Sequence, residues 1–132
     1  MTKRWLLAVS FTLGAVLLSL LLVYAMVTET FHVEPPQDLS FLDDVVVNND
    51  RLQNGMYQFK VRCSTCHGFK GEGSSRAPSL ADEQWLYGDT RASKYSIIFS
   101  GSPTRRMKGW GSKLRQEDLV DLVLFIEELP NL

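Results

Sequence analysis

The sequence predicts an all-α fold, and three observations carry that prediction. No segment alternates apolar and polar residues over a strand's length. Leu119, Leu122, Val123, Ile126 and Leu129 recur at helical spacing near the end of the chain. The segments between the helical stretches are long and rich in Gly and Ser, as in 68–81 and 102–114. Loops of that length argue against a compact domain unless something large fills its centre.

The elements follow in order. The chain has 132 residues and a formal net charge of −1, room for one small domain plus appendages. Residues 1–4 carry Lys3 and Arg4. Residues 5–27 hold no charge and are rich in Leu, Val and Ala. A helix of that length covers a hydrocarbon core of roughly 30 Å. Basic residues before the run, and Glu29 and Glu34 after it, predict a cytoplasmic N-terminus and an exported remainder. Trp5 and Tyr24 suit the two interfaces. A cleaved signal peptide is the alternative, with Val23-Tyr24-Ala25 as a weak cleavage site, but the run exceeds the usual apolar core of about 7–15 residues. Residues 28–47 read as a linker, stiffened by Pro35-Pro36 and solvated by Asp38, Asp43 and Asp44. Its apolar part, Phe41, Leu42 and Val45-Val46-Val47, either covers the domain edge or meets a partner subunit.

Residues 48–132 form the globular part. A helix starts at Asn48 or Asn49, both good N-caps, and runs to the cysteines. A second covers 91–100 and is closed by Gly101. A third covers 116–129, with Glu117 and Asp118 complementing its dipole and Pro130 stopping it.

The chain has two cysteines, and they stand as Cys63-Ser64-Thr65-Cys66 with His67 next. A C-x-x-C-H run is the attachment signature of c-type haem. The thiols add to the two vinyl groups, and the following imidazole becomes the proximal iron ligand. One covalent haem would also supply the core that so short a domain lacks. Three other readings compete. A thioredoxin-like site needs a βαβ scaffold, and none is visible. A plain disulfide leaves His67 unexplained. A zinc site needs about four ligands, and His32 is the one other histidine.

The sixth iron position separates electron transfer from catalysis. Met1 and Met26 belong to the membrane end, and Met56 precedes the cysteines on the same helix. Met107 stands in a loop before the last helix, flanked by Arg105, Arg106 and Lys108. An apolar residue among charges needs something specific to bury it, so Met107 is the candidate distal ligand; core filler and His32 are the alternatives.

These residues resemble the small monohaem c-type cytochromes. The resemblance implies that Gly55 and Phe59 pack on the last helix at Leu122 and Phe125. It implies that the Pro78 carbonyl accepts from the proximal imidazole, and that Met107-Lys108-Gly109-Trp110 is the ligand loop with Trp110 beside the haem. Lys108 replaces the usual proline, and Arg115 stands where Ser or Thr often caps the last helix. Pro78-Ser79-Leu80, then Trp85-Leu86-Tyr87-Gly88, then Ile98 and Gly101, resemble the haem domains of the third subunit of cbb-type cytochrome c oxidases. This implies haem contacts from Trp85, Tyr87 and Ile98, with either aromatic as propionate donor. Those subunits usually carry two haem domains, and this chain has one C-x-x-C-H run.

Seven basic residues and no acidic one lie between Asp89 and Glu117. A basic rim around the Met107 loop would steer an acidic redox partner, or else balance the haem carboxylates. Nucleic acid is not an expected partner. The expected function is one-electron transfer by a single-pass subunit of the cytoplasmic membrane with its haem domain outside. The expected partners are a catalytic oxidase subunit and an electron-donating redox protein. A tethered shuttle, the small subunit of a nitric oxide reductase, a sensor or enzyme with open iron, and a haem-free thiol oxidoreductase are the alternatives.

Overall fold

A computed structural model of the chain describes residues 2–30 and 34–131, with side chains described over 12–27 and 34–131. The chain divides into two compact units, Met1–Val33 and Glu34–Leu132.

The first unit contains α1, Thr2–Thr30. Its described side chains are all exposed, and Leu13, Leu17, Leu18, Leu20, Leu21, Leu22 and Val23 are among them. Ser19 returns its hydroxyl proton to the Val16 carbonyl at 2.8 Å, which satisfies its polar group inside an apolar helix. Counted over the described residues, no helix is long and apolar enough to cross a membrane. The described side chains of α1 cover fewer residues than the roughly 20 that a span requires. The span expected over 5–27 begins outside them.

The second unit is helical, with no strand among the described residues. Its elements are α2 (Asn49–Arg62), α3 (Ser64–His67), α4 (Arg91–Ser100) and α5 (Gln116–Glu128), with 3-10 turns at Ser40–Leu42 and Leu129–Asn131. Asn48 caps α2, its side chain accepting from the Arg51 amide at 3.0 Å. Thr90 caps α4 in the same way, through the Ser93 amide. At Arg115 the cap differs: its side chain makes no capping bond. It reaches forward instead, and its Nε and Nη2 donate to Asp118 at 2.9 and 3.1 Å.

Helix α5 is the centre of the core. Every residue from Asp118 to Ile126 is buried, the pattern of a helix covered all round. The α-helix ends at Glu128, one residue short of the expected end, and Leu129–Asn131 continues it as a 3-10 turn that includes Pro130. Helix α2 crosses α5 at Gly55, where a Cβ would run into the Asp121 carbonyl oxygen and come within 2.6 Å of Phe125 Cβ. One turn on, Phe59 meets the Phe125 ring at 5.5 Å between centroids. Around this crossing Arg51, Asn54, Asp118 and Asp121 form a polar network. Arg51 donates to Asp121 at 2.7 Å, and Asn54 donates to Asp118 and Asp121 at 3.0 and 2.9 Å.

Residues 39–45 are not free linker. Leu42 is fully buried, and the Phe41 ring stands edge-on to Tyr95 at 6.4 Å. Arg91 holds this strap: Nη1 donates to the Leu42 and Val45 carbonyls at 2.9 and 3.0 Å, and Nε donates to Glu127 at 2.9 Å. The apolar run therefore covers the domain edge from Phe41 to Val45, while Val46 remains exposed.

Candidate haem site

Cys63 closes α2, its amide donating to the Phe59 carbonyl at 2.8 Å. Ser64–His67 form the single turn of α3, so Cys66 and His67 follow Cys63 on one short helical ramp. Both thiols are free. Burial, the largest cause, pushes the Cys63 thiol up to about 11, against a smaller opposing pull from Arg62. A redox-active thiol needs the reverse, a lowered value and an electropositive setting. Among the described residues no three His, Cys, Asp or Glu side chains converge as a metal-ion site.

His67 is buried, and its Nδ1 lies 2.9 Å from the Pro78 carbonyl oxygen. A carbonyl only accepts, so Nδ1 carries the proton and the Nε2 lone pair stays available. Backbone bonds hold the loop that makes this contact. Gly73 donates to the His67 carbonyl at 2.7 Å, and Leu80 donates to the Gly71 carbonyl at 2.7 Å. Gly73 has φ 84°, and a Cβ there would come within 2.6 Å of the Ser79 amide nitrogen. Ser74 adds a bond from its hydroxyl to the Cys66 carbonyl at 2.5 Å.

The second group is built around α4. Ile98 is buried on that helix, and its carbonyl accepts from the Trp110 amide at 2.8 Å. Between them Gly101 and Lys108 form an isolated antiparallel bridge. Met107 is half-buried inside this hairpin; its amide donates to Ser102 Oγ and its carbonyl accepts from the Ser102 amide, both at 3.1 Å. Ser102 is the residue that sequence reasoning missed, and its place directly after a closing glycine was the one available signal. Arg105 takes φ 57° at the tip, beside exposed Arg106. Trp85 is half-buried with the Lys94 ammonium over its ring, while Tyr87 is exposed and Pro78 presents its carbonyl from an exposed position. His32 lies outside the described residues.

The basic stretch is smaller at the surface than its sequence suggests. Arg91 and Lys94 are turned inward to Glu127, and Arg115 is tied to Asp118. Arg105, Arg106, Lys108 and Lys113 are exposed and pair with no carboxylate among the described residues.

These residues fit a haem c. Two free thiols, an imidazole with Nε2 available and a half-buried thioether form the required donor set. Leu80, Trp85, Met107 and Trp110 pack on the core with part of their surface still open, surface that a large apolar ring would cover. Among the described residues no hydrogen bond or ring contact joins the His67 group to the Met107 group.

An all-helical domain with this motif and this imidazole bond defines a c-type cytochrome domain, a module of electron transfer. Residues 50–126 match the family model described as cytochrome C oxidase, cbb3-type, subunit III, and the chain belongs to that family. It is 38% identical over 64 residues to the cbb3-type cytochrome c oxidase subunit CcoP of Azospirillum brasilense, covering 46% of this chain and 22% of that protein. It is 32% identical over 79 residues to the FixP subunit of Azorhizobium caulinodans, covering 58% and 27%. The chain thus spans about a quarter of the length of these curated relatives. Among solved structures, cytochrome cL of Hyphomicrobium denitrificans aligns with TM-score 0.55 and 30% identity over 59% of this chain and 46% of that one. Cytochrome cL of Methylophaga aminisulfidivorans, at 18% identity and TM-score 0.57 over 74% and 68%, shares the fold.

Proposed function

We propose that this chain carries one haem c, covalently bound through Cys63 and Cys66, with His67 and Met107 as axial ligands. It passes single electrons as a membrane-tethered subunit of a cbb-type haem–copper oxidase. The observation that carries the reading is the bond from His67 Nδ1 to the Pro78 carbonyl, beside two free thiols. That bond fixes the imidazole tautomer and ring orientation and makes Nε2 a stronger donor to iron. The haem supplies the one-electron couple. Met107 would supply a thioether ligand, which would favour the reduced state, as suits a relay close to a terminal acceptor. The chain's own part is to hold the ring and to exclude water from it with Leu80, Ile98 and Trp110.

Residues 5–27 act as the anchor, with Lys3 and Arg4 on the cytoplasmic side and the haem domain outside. Partners are an integral-membrane catalytic subunit and an electron-donating redox protein. The exposed Arg105, Arg106, Lys108 and Lys113 make the surface that an acidic donor approaches.

The test is purification of the full chain from membranes of a host able to attach haem c. Expected results are haem staining on a denaturing gel that depends on Cys63 and Cys66, and co-purification with a large catalytic subunit. A chain that stains and purifies alone is a tethered shuttle instead. One that never stains refutes the haem reading.

A further inference from the structure

Ser102 occupies both main-chain polar groups of Met107. Its Oγ accepts from the Met107 amide and its own amide donates to the Met107 carbonyl, both at 3.1 Å. The same serine opens the turn between them. Its carbonyl accepts from the Arg105 amide at 2.8 Å, with Pro103 in the second place of the turn. Thr104 Oγ1 stands 3.3 Å from Ser102 Oγ, so the serine proton has an acceptor of its own.

These bonds stand at the end of a short ladder. The Trp110 and Gly111 amides donate to the Ile98 and Phe99 carbonyls at 2.8 and 3.0 Å, and Gly101 bridges to Lys108. That part of the loop is held by main chain alone, whatever side chains it carries. The ladder stops at Met107, next to the exposed tip of residues 103–106. Lys108 behind it restrains no backbone torsion as a proline ring would. Among the described residues no other side chain bonds the main chain of residues 106–111. The Ser102 hydroxyl is therefore the side-chain group that closes the loop at Met107.

We propose that Ser102 is a positioning residue for the sixth iron ligand: by holding the Met107 amide, its hydroxyl keeps the thioether on the iron. The inference rests on the haem and ligand reading above and adds the residue that sets how firmly the site is closed. The bond that opens and re-forms is iron to sulfur, with no change of oxidation state. Exogenous imidazole reads the open fraction. It binds ferric iron where that bond has opened, so its apparent affinity follows the open population.

The experiment titrates the full haem-loaded ferric chain with imidazole, as wild type, Ser102→Ala and Ser102→Thr, each with and without Met107→Ala. With Met107 present, Ser102→Ala is expected to tighten imidazole binding by roughly three- to tenfold, the weight of one such hydrogen bond. Ser102→Thr keeps the hydroxyl and should stay near wild type. With Met107→Ala the iron is open already, and Ser102→Ala should change nothing, so the double-mutant cycle isolates the part that acts through Met107. An equal tightening in both backgrounds overturns the inference, and so does no tightening in either. If Ser102→Ala does not load with haem, Ser102→Cys, whose sulfur is a weaker acceptor, carries the same comparison. A Met107→Ala chain with wild-type imidazole affinity defeats the ligand assignment, and the inference with it. A wild-type chain that takes up no haem defeats the haem reading itself, an outcome distinct from the others.

Discussion

His67 and Pro78, eleven residues apart, are joined by a bond from a ring nitrogen to a main-chain carbonyl, 2.9 Å long. Because the acceptor is backbone, the side chain at 78 is not what the imidazole reads. The position of the loop is, and Gly73 sets it by backing directly onto the Pro78–Ser79 peptide. Gly73→Ala adds a Cβ to a residue at φ 84° and drives it into the Ser79 amide. The expected cost is about 2–4 kcal/mol from strain and overlap together. Pro78→Ala keeps the carbonyl, with an expected cost below about 1 kcal/mol. Thermal unfolding of the two haem-loaded variants compares them; equal losses would mean that Gly73 does not position the carbonyl.

Met107 is held by both of its backbone polar groups on Ser102, so its thioether is presented by a closed hairpin rather than by a free loop. Met107→Ala should keep that hairpin and remove only the thioether, the ligand proposed above. The expected outcome is an iron that binds carbon monoxide and a lowered reduction potential. Difference spectra with and without carbon monoxide check it, and an unaltered haem spectrum removes Met107 from the iron.

Much of this was legible in the sequence because it is local. The attachment motif, the Asn48 cap and the helical spacing of Leu119, Leu122, Val123 and Ile126 each depend on residues a few positions apart. The unread parts join residues distant in the chain. Nothing in 28–47 announces that Leu42 and Val45 lend their carbonyls to Arg91, because a backbone acceptor has no sequence signature. The basic stretch misled for a related reason: Arg91 and Lys94 count as surface charge until Glu127, more than thirty residues away, draws them in. Arg115 was noted as a departure from the usual cap, but its substitute bond to Asp118 needed coordinates.

Among the described residues, the Arg91 side chain is the one that hydrogen-bonds the strap to α4 and α5 together. Arg91→Ala removes two bonds to strap carbonyls and one to Glu127. The expected loss is about 2–4 kcal/mol, since bonds from a charged donor are worth more than neutral ones and the two carbonyls are left to water. Residues 39–45 should then become the first site of limited proteolysis. Arg91→Lys reaches fewer acceptors and should give partial protection. A protease pattern identical to wild type would show that the burial of Leu42 alone holds the strap.

Acid should weaken the α2–α5 crossing. Asp118 is buried, and hydrogen bonds first from Arg115 and then from Asn54 hold its carboxyl below the usual carboxylate range. Its folded value therefore lies below its unfolded one, near 3.9. The unfolded chain binds the proton more readily, so the stability from this group is fully present above the unfolded value and is lost as pH falls through the folded one. The Arg115 side chain is 73% exposed, so salt should reduce its share of the effect. Urea midpoints measured from about pH 6 down to about pH 2 should fall less steeply for Asp118→Asn than for wild type. Parallel curves would assign the acid sensitivity to other carboxylates; a difference that shrinks in high salt would identify the Arg115–Asp118 pair.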